Sequence, residues 1–360
     1  MGNPLKKSRY KKTNLFSFKL AGIIILAVIL IIVPFIIRSP YYIHLLIMAG
    51  INSVLAMTFI LMLRTGLITI AIAGFWGIGA YASTLLSTRL GQSFWLSLPA
   101  STIITGIFAF FIGYPLVRKG GMGFAILTLL FNFIIILVFG NFDFFGGYQG
   151  IYNIPRPSPI YLPFLGYLKF STKIPYYYLM LILVLIVIFS FLGLYRSRIG
   201  RAWRAIGLSP RLAESMGVNL FRYRLGAFVI CAATAGLMGS FFVHYYGSII
   251  PSTFDPYKTL YIHIYAILGG VGFAFSGPIF GSLFMVIVPE ILRIAKEAEP
   301  IFTGLLVVLL VMFLPDGLMG LVTSFRAGKP IIQPLANIIL VEKRIKSLLM
   351  NFESDEKRTK

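Results

Sequence analysis

Apolar runs of about twenty residues, separated by short polar segments, repeat along the chain and constrain its fold more than any other feature. A helix rises about 1.5 Å per residue, so a run of about twenty residues crosses the hydrocarbon core of a bilayer. The composition agrees, because 58% of the residues are apolar and only 12% are charged, whereas a soluble domain carries roughly 25% charge. The chain is therefore predicted to lie in a membrane.

The apolar runs are predicted to be helices, which gives an all-α polytopic membrane protein with about ten spans. Each backbone N–H and C=O group in hydrocarbon needs an internal partner, which a helix supplies within one segment. The runs also lack the alternation of apolar and polar side chains that is typical of membrane barrels. The predicted spans are residues 20–37, 41–63, 66–88, 94–117, 123–142, 176–195, 225–246, 259–275, 277–292 and 301–314.

Lysine and arginine fall mainly on one side of these spans. Placing the N-terminus inside puts three quarters of the 32 basic residues in cytoplasmic segments. Such an excess is typical of the cytoplasmic loops of membrane proteins. We therefore expect a multi-pass protein of the inner or plasma membrane with both termini in the cytoplasm.

The same division predicts the domain organisation. A basic cytoplasmic tail at residues 1–19 precedes a transmembrane domain at 20–321, and a second basic tail follows at 322–360. The loop at 143–175 is expected outside and, with five prolines, cannot form one helix. The net charge of +21 does not indicate a nucleic-acid partner, because the basic residues sit between spans. Membrane lipid is the expected partner of the C-terminal basic stretch at 331–360.

The residues that usually carry chemistry are scarce. Cys231 is the single cysteine, and the three histidines show no metal-ligand spacing. We predict no catalytic residue, metal or cofactor. The sequence has no G-x-x-x-x-G-K-[ST] phosphate loop, and its spans hold few ionisable residues. These features favour a passage driven by a separate ATPase over an enzyme or a stand-alone secondary carrier.

Glycine and proline interrupt several predicted spans, above all between residues 259 and 292. Broken helices are typical of translocation pathways, and small residues are equally typical of close helix packing. Both interpretations stay open at this point. The residues concerned are Gly77, Gly79, Gly269, Gly270, Gly272, Gly277 and Pro278.

The cytoplasmic loop at 196–224 contains signals for a short helix. Ser209 is a suitable N-cap, Pro210 fits the first helical position and Gly217 fits the end. Leu212 and Met216 are four residues apart and share one face. Such a helix suits docking into a groove on a partner, and the residues alone equally allow an ordinary structured loop that lies on lipid headgroups. The candidate docking residues are Arg201, Arg204, Ser209, Pro210, Leu212, Glu214, Met216 and Gly217.

Eight sequence strings occur in an order that resembles a known family. They are GFWGIGAY (74–81), KGGMGFAILTLLF (119–131), FGGYQGI (145–151), RSRIGRAWRAIG (196–207), AESMGVNLFRYRLGAF (213–228), AGLMGSFF (235–242), ILGGVGFAFSGPIFGS (267–282) and FLPDGLMGL (313–321). The family is the LivM-like permease subunits of branched-chain amino acid ABC importers.

The resemblance implies a function and a set of partners. Family members pair with a second homologous permease, two cytoplasmic ATPase subunits and an extracytoplasmic solute-binding protein. The loop at 196–224 would be the coupling element that contacts the ATPase. The expected solutes are branched-chain or other hydrophobic amino acids, with urea, short amides, sugars or nucleosides as the alternative. The external residues expected to receive the binding protein are Tyr148, Gln149, Tyr152, Asp255 and Lys258.

Two segments depart from the family pattern. Residues 69–72 read Thr-Ile-Ala-Ile, where the family has a more polar Ser-Leu-Gly-His-like sequence. Residues 207–210 read Gly-Leu-Ser-Pro in place of Arg-Glu-Asn-Glu. We expect the first difference to affect the solute and the second to reflect an adapted ATPase partner.

Overall fold

The computed structural model describes residues 32–34, 39–162, 166–168, 170–292, 299–314 and 316–327. Residues 32–34 are helical and belong to the first predicted span, and the rest of that span lies outside the described residues. The predicted tail at 1–19 and the stretch at 331–360 also lie outside them. The second predicted tail is described only as far as residue 327.

The described part of the chain is almost entirely helical. Five of its helices have the length and apolar composition to cross a membrane, and shorter apolar helices follow near the C-terminal end. This agrees with an all-α membrane protein, although it does not establish the number ten. The helices are α1 (Pro40–Leu63), α2 (Ile72–Thr88), α3 (Phe94–Lys119), α4 (Gly121–Asn141), α5 (Lys173–Arg196), α6 (Arg198–Leu208), α7 (Pro210–Ser215), α8 (Leu220–Tyr246), α9 (Pro256–Gly269), α10 (Ser276–Leu292), α11 (Glu299–Phe313) and α12 (Gly317–Ala327).

Helices α1 and α8 form the centre of the fold, and α2 packs across α8. The side chains of α1 and α8 are mostly buried, whereas α3, α4 and α5 expose much of their apolar surface. The contact between α2 and α8 is close because Gly79 lies against the backbone of Gly236, and Gly239 lies against the carbonyl of Trp76. Small residues let two helix backbones approach in this way, which strengthens packing where no hydrophobic effect drives association.

The outer faces of α3, α4 and α5 are apolar at helical spacing. Ile103, Ile107 and Phe111 are exposed along one side of α3, and Ile182 and Phe189 are exposed on α5. An apolar face of this kind is what the hydrocarbon of a lipid bilayer requires. The periphery of the fold is thus suited to lipid or to another apolar subunit.

The third predicted span began too early. Helix α2 starts at Ile72, and the preceding residues 67–71 are irregular rather than helical. Side chains from distant helices supply the hydrogen bonds that this backbone lacks: Asn132 Nδ2 donates to Ile70 O at 3.2 Å, and His263 Nε2 lies 3.0 Å from Thr69 O. Irregular backbone at membrane depth is tolerated where protein groups satisfy it in this way.

The glycine-rich region resolves into two short helices packed closely together. Helix α9 ends at Gly269 rather than near residue 275, and Gly270 has φ of +110°, which favours glycine. A side chain at Gly269 or Gly281 would clash with the backbone of the opposite helix. Of the two interpretations of these glycines, the structure favours close packing. Gly272 has no neighbour within 4 Å that would require glycine.

The segments predicted to be external contain short strands that the sequence did not reveal. Strand β1 (Ile151–Tyr152) pairs antiparallel with β4 (Ser248–Ile249), which lies almost one hundred residues further along the chain. Strands β2 (Ile160–Leu162) and β3 (Gly166–Leu168) form a hairpin within the predicted loop at 143–175. Helix α5 begins at Lys173, and Pro175 is tolerated in its first turn, where the missing N–H is not needed.

Candidate functional site

The predicted cytoplasmic loop folds into two helices joined at an angle, which we call the α6–α7 corner (residues 198–217). The short helix expected from the sequence is present as α7. Ser209 Oγ accepts a hydrogen bond from Leu212 N at 3.4 Å, and Gly217 has φ of +81°. Val218 N donates to Ala213 O at 3.0 Å, which closes the end of the helix. The sequence signals for this helix are therefore confirmed.

Helix α6 anchors the corner to the membrane-embedded helices, and this helix was not predicted. Trp203 is fully buried, and its indole Nε1 donates to Tyr223 O at 2.9 Å. Gly200 packs against the end of α5, and a Cβ at Gly207 would lie 2.5 Å from Arg64 O at the end of α1. The corner is held in a fixed position by two features. Its residues Gly200, Trp203 and Ile206 are buried, and Gly207 contacts the end of α1. The spacing of Trp203 and Ile206 was the signal that could have revealed it.

The outer side of the corner exposes three large apolar side chains. Leu208 is 89% exposed, Leu212 is 67% exposed and Met216 is 81% exposed. An anchored element that leaves such residues uncovered is suited to burial against a partner. Leu212 and Met216 were predicted to share this face, and Leu208 was missed because it ends a helix that the sequence analysis did not identify.

The charges around the corner are mainly positive. Arg201, Arg204 and Arg211 are exposed, and within the described residues none of them forms an ion pair. Glu214 instead lines a surface recess together with Arg118 and Arg224. The attraction between Glu214 and Arg224 therefore acts within the chain, beside the exposed apolar side chains of the corner.

Two further contacts join the helices that flank the corner, α5 and α8, to the end of α1. The Arg64 guanidinium lies over the Tyr195 ring, 4.4 Å from its centroid. Arg224 Nε donates to Thr65 O at 3.1 Å. The packing of Gly207 on Arg64 O thus connects the corner to the end of α1, and α5 and α8 hold the same end through the two contacts above.

On the opposite side, the two predicted docking loops come together. The pairing of β1 with β4 places Tyr152 opposite Ser248. Tyr148 and Tyr152 are each 64% exposed, and the Tyr148 ring lies over Gly140. Asp255 has a structural role as well, since its Oδ1 accepts from Tyr257 N at 2.9 Å at the start of α9. Gln149 is exposed in a short 3₁₀ turn beside Tyr148.

A cavity of about 370 Å³ opens beside these loops between α1, α8 and α9. Lys258 and Tyr152, both predicted as docking residues, form part of its lining. Most of the remaining lining residues lie within continuous apolar runs and were not predicted, and Ser248, Ile250 and Thr253 come from the connection between α8 and α9. None of residues 69–72, which depart from the family pattern, lines this cavity.

The helical fold, the anchored α6–α7 corner and the cavity at the opposite end of the helices fit a multi-pass membrane protein of the transport-subunit class. The chain belongs to the family described as the permease component of the branched-chain amino acid transport system, whose model matches residues 41–314.

Several curated proteins are similar to the chain. The high-affinity branched-chain amino acid transport system permease protein LivM of Escherichia coli is 31% identical over 295 residues, which cover 77% of this chain and 68% of that protein. A probable branched-chain amino acid transport permease, LivH of Methanocaldococcus jannaschii, is 27% identical, covering 64% of this chain and 72% of that protein. The guanosine ABC transporter permease NupQ of Bacillus subtilis is 26% identical, covering 49% and 58%. No solved structure matches the chain significantly.

Proposed function

We propose that the chain is a permease subunit of an ATP-binding cassette importer and forms the membrane passage for branched-chain amino acids. Family membership supports the transport role, and the relatives with the largest shared length are branched-chain amino acid permeases. The observation that supports a separate ATPase as the energy source is the α6–α7 corner. There Leu208, Leu212 and Met216 project from an anchored element. An exposed apolar surface held rigidly in the cytoplasm is what a separate ATPase subunit would bind.

The proposal includes four kinds of partner. Both LivM and LivH permeases are among the relatives, which supports pairing of this chain with a second, homologous permease. Two ATPase subunits would bind in the cytoplasm, one of them at the α6–α7 corner. A solute-binding protein would dock on the opposite face, at the paired loops that carry Tyr148 and Tyr152. No ATP is hydrolysed by the permease itself under this proposal.

The structure suggests how the energy of ATP hydrolysis would reach the passage. The corner packs on the backbone of Arg64, at the cytoplasmic end of α1. Residues of the same helix line the external cavity. Movement of the corner by the ATPase would therefore shift α1. One end of this helix contacts the corner, and residues nearer its other end line the proposed passage. Helix packing of this kind transmits displacement because packed cores resist compression.

The identity of the solute is tested by ATP hydrolysis in the reconstituted importer. Binding protein loaded with leucine, isoleucine or valine is expected to stimulate the ATPase, whereas guanosine is expected to have no effect. The guanosine arm is included because the guanosine permease NupQ is among the relatives. Stimulation by guanosine and not by leucine would replace the amino-acid assignment with a nucleoside one.

We expect the termini to be cytoplasmic and the loop around Ser171 to be external. Ser171 is exposed just before α5, so a cysteine there should react with a membrane-impermeant maleimide in intact cells. Cys231→Ala removes the background thiol. Ser215→Cys, on the exposed surface of α7, serves as the matched control and should react only after the membrane is opened. Labelling of Ser215→Cys in intact cells, with labelling of Ser171→Cys only after the membrane is opened, would show that the orientation is the opposite one.

The external docking site predicts a selective effect of Tyr148→Ala combined with Tyr152→Ala. Exposed tyrosines anchor interfaces well, and losing two should raise the half-saturating concentration of binding protein roughly tenfold. Basal ATP hydrolysis should not change. Leu90→Ala, an equally exposed residue between α2 and α3, provides the control. A double variant with the wild-type half-saturating concentration would remove these loops from the docking site.

A further inference from the structure

The external cavity has a polar element at its mouth and another near the middle of the membrane. Its lining on α1 consists of His44, Met48 and Asn52, which are spaced four residues apart and share one face. Asn52 lies twelve residues beyond Pro40, or about 18 Å along a helix of about 36 Å. The cavity therefore extends from the outer surface to about half the depth of α1.

Asn52 is the polar lining residue that lies furthest along α1 from Pro40. Within the described residues its carboxamide has no hydrogen-bond partner, whereas His44 Nδ1 is already 2.6 Å from Tyr245 Oη. Placing an amide in hydrocarbon without a hydrogen-bond partner costs several kcal/mol of free energy. Its position on the cavity wall gives the amide access to water or to a polar solute, which removes that penalty.

Lys258 supplies the charge at the mouth of the cavity. It lies in the first turn of α9, is exposed and, among the described residues, forms no ion pair. The carboxylate of Asp255, three residues earlier, accepts from Tyr257 N through Oδ1 and forms no ion pair with Lys258. The Lys258 ammonium is consequently available to an incoming anion, and it repels cationic solutes.

Much of the remaining wall is apolar and aromatic, and it also includes the hydroxyl groups of Ser248 and Thr253. The Phe242 and Tyr246 rings are stacked with centroids 5.5 Å apart and an interplanar angle of 18°. They form a flat surface in α8, and Met48 adds a flexible apolar side chain from α1. The volume of about 370 Å³ lies within the range of small-molecule sites, about 300–1,000 Å³. Such a surface accommodates an aliphatic side chain.

We propose that this cavity is a two-step site for a zwitterionic, apolar amino acid within the permease. Lys258 attracts the α-carboxylate at the mouth, and Asn52 receives the solute deeper in the membrane. One carboxamide can serve both charges, because its N–H donates to a carboxylate and its oxygen accepts from an ammonium group. Phe242, Tyr246 and Met48 contact the side chain. This inference rests on the proposed function and names the residues that recognise the solute.

The inference is tested in proteoliposomes that contain the complete importer, with leucine-loaded binding protein at saturation. Asn52→Leu should lower the maximal rate of leucine uptake about tenfold, the effect of losing hydrogen bonds to charged groups. Asn52→Gln keeps the amide and should restore most of the rate. Ser53→Ala is the control, because the Ser53 hydroxyl bonds to Gly50 O within its own helix at 2.7 Å. The half-saturating concentration of binding protein reports docking and should not change in any of these variants.

Each outcome distinguishes the inference from the proposed function. Wild-type uptake of leucine together with an equally fast Asn52→Leu variant overturns the inference alone. A wild-type importer that takes up no leucine overturns the proposed function and the inference with it. If Asn52→Leu fails to assemble, Lys258→Met carries the test: its maximal rate should fall at least about threefold with loss of the charge, and an unchanged maximal rate overturns the inference.

Discussion

Replacing Leu212 and Met216 together by glutamate is expected to abolish the stimulation of ATP hydrolysis by the loaded binding protein. Both side chains are exposed in the isolated chain, so the change should leave the permease folded and inserted. In the assembled importer the two carboxylates would be buried against the ATPase, and burying an unpaired charge costs several kcal/mol. The association of the two subunits should therefore weaken by at least about a hundredfold.

Co-purification of the ATPase with the variant measures this association directly. Leu90→Glu introduces the same charge at an exposed leucine between α2 and α3, and it should co-purify like wild type. Normal association and stimulation in the double variant would show that the ATPase binds somewhere other than the α6–α7 corner.

The second large effect is expected from Gly239→Val in α8. A side chain at this position would clash with the carbonyl of Trp76 in α2, because the two backbones are in contact there. The helices would have to separate, with a loss of about 3 kcal/mol or more, at the upper end of the range for overpacking. Gly226→Val places the same side chain in the same helix with no atom within 4 Å, and it should stay within about 0.5 kcal/mol of wild type.

Thermal denaturation of the two purified variants in detergent compares them. We expect Gly239→Val to aggregate or to melt far below wild type. Gly226→Val is expected to melt at the same temperature as wild type. Equal stability of both variants would mean that the closeness of α2 and α8 at Gly239 does not support the fold.

The sequence predicted those features that depend on neighbours in the chain. The apolar runs predicted the helices, and Ser209, Pro210 and Gly217 predicted α7, since capping depends on residues three to eight positions apart. The exposure of Leu212 and Met216 also followed from their spacing. Helix α6 was missed although its signals were local, because the spacing of the buried residues Trp203 and Ile206 was not used.

Features that depend on distant residues were not predictable from one sequence. The irregular backbone at 67–71 is stable because Asn132 and His263 reach it from helices 62 and 194 residues away. The pairing of β1 with β4 joins segments that carry no hairpin signal. Asn52 was hidden for a different reason. A helix that is apolar on all sides gives no indication of which face lines a cavity.

The central claim is that this chain forms the passage of an importer driven by a partner ATPase. The most direct measurement is the accumulation of radiolabelled leucine in proteoliposomes that contain both permeases, the ATPases and external binding protein. With ATP inside, accumulation against a gradient is expected, and it should be lost when Leu212 and Met216 are replaced by glutamate. Leucine accumulation by this chain without ATP or the ATPase subunits would contradict the claim and identify a stand-alone carrier.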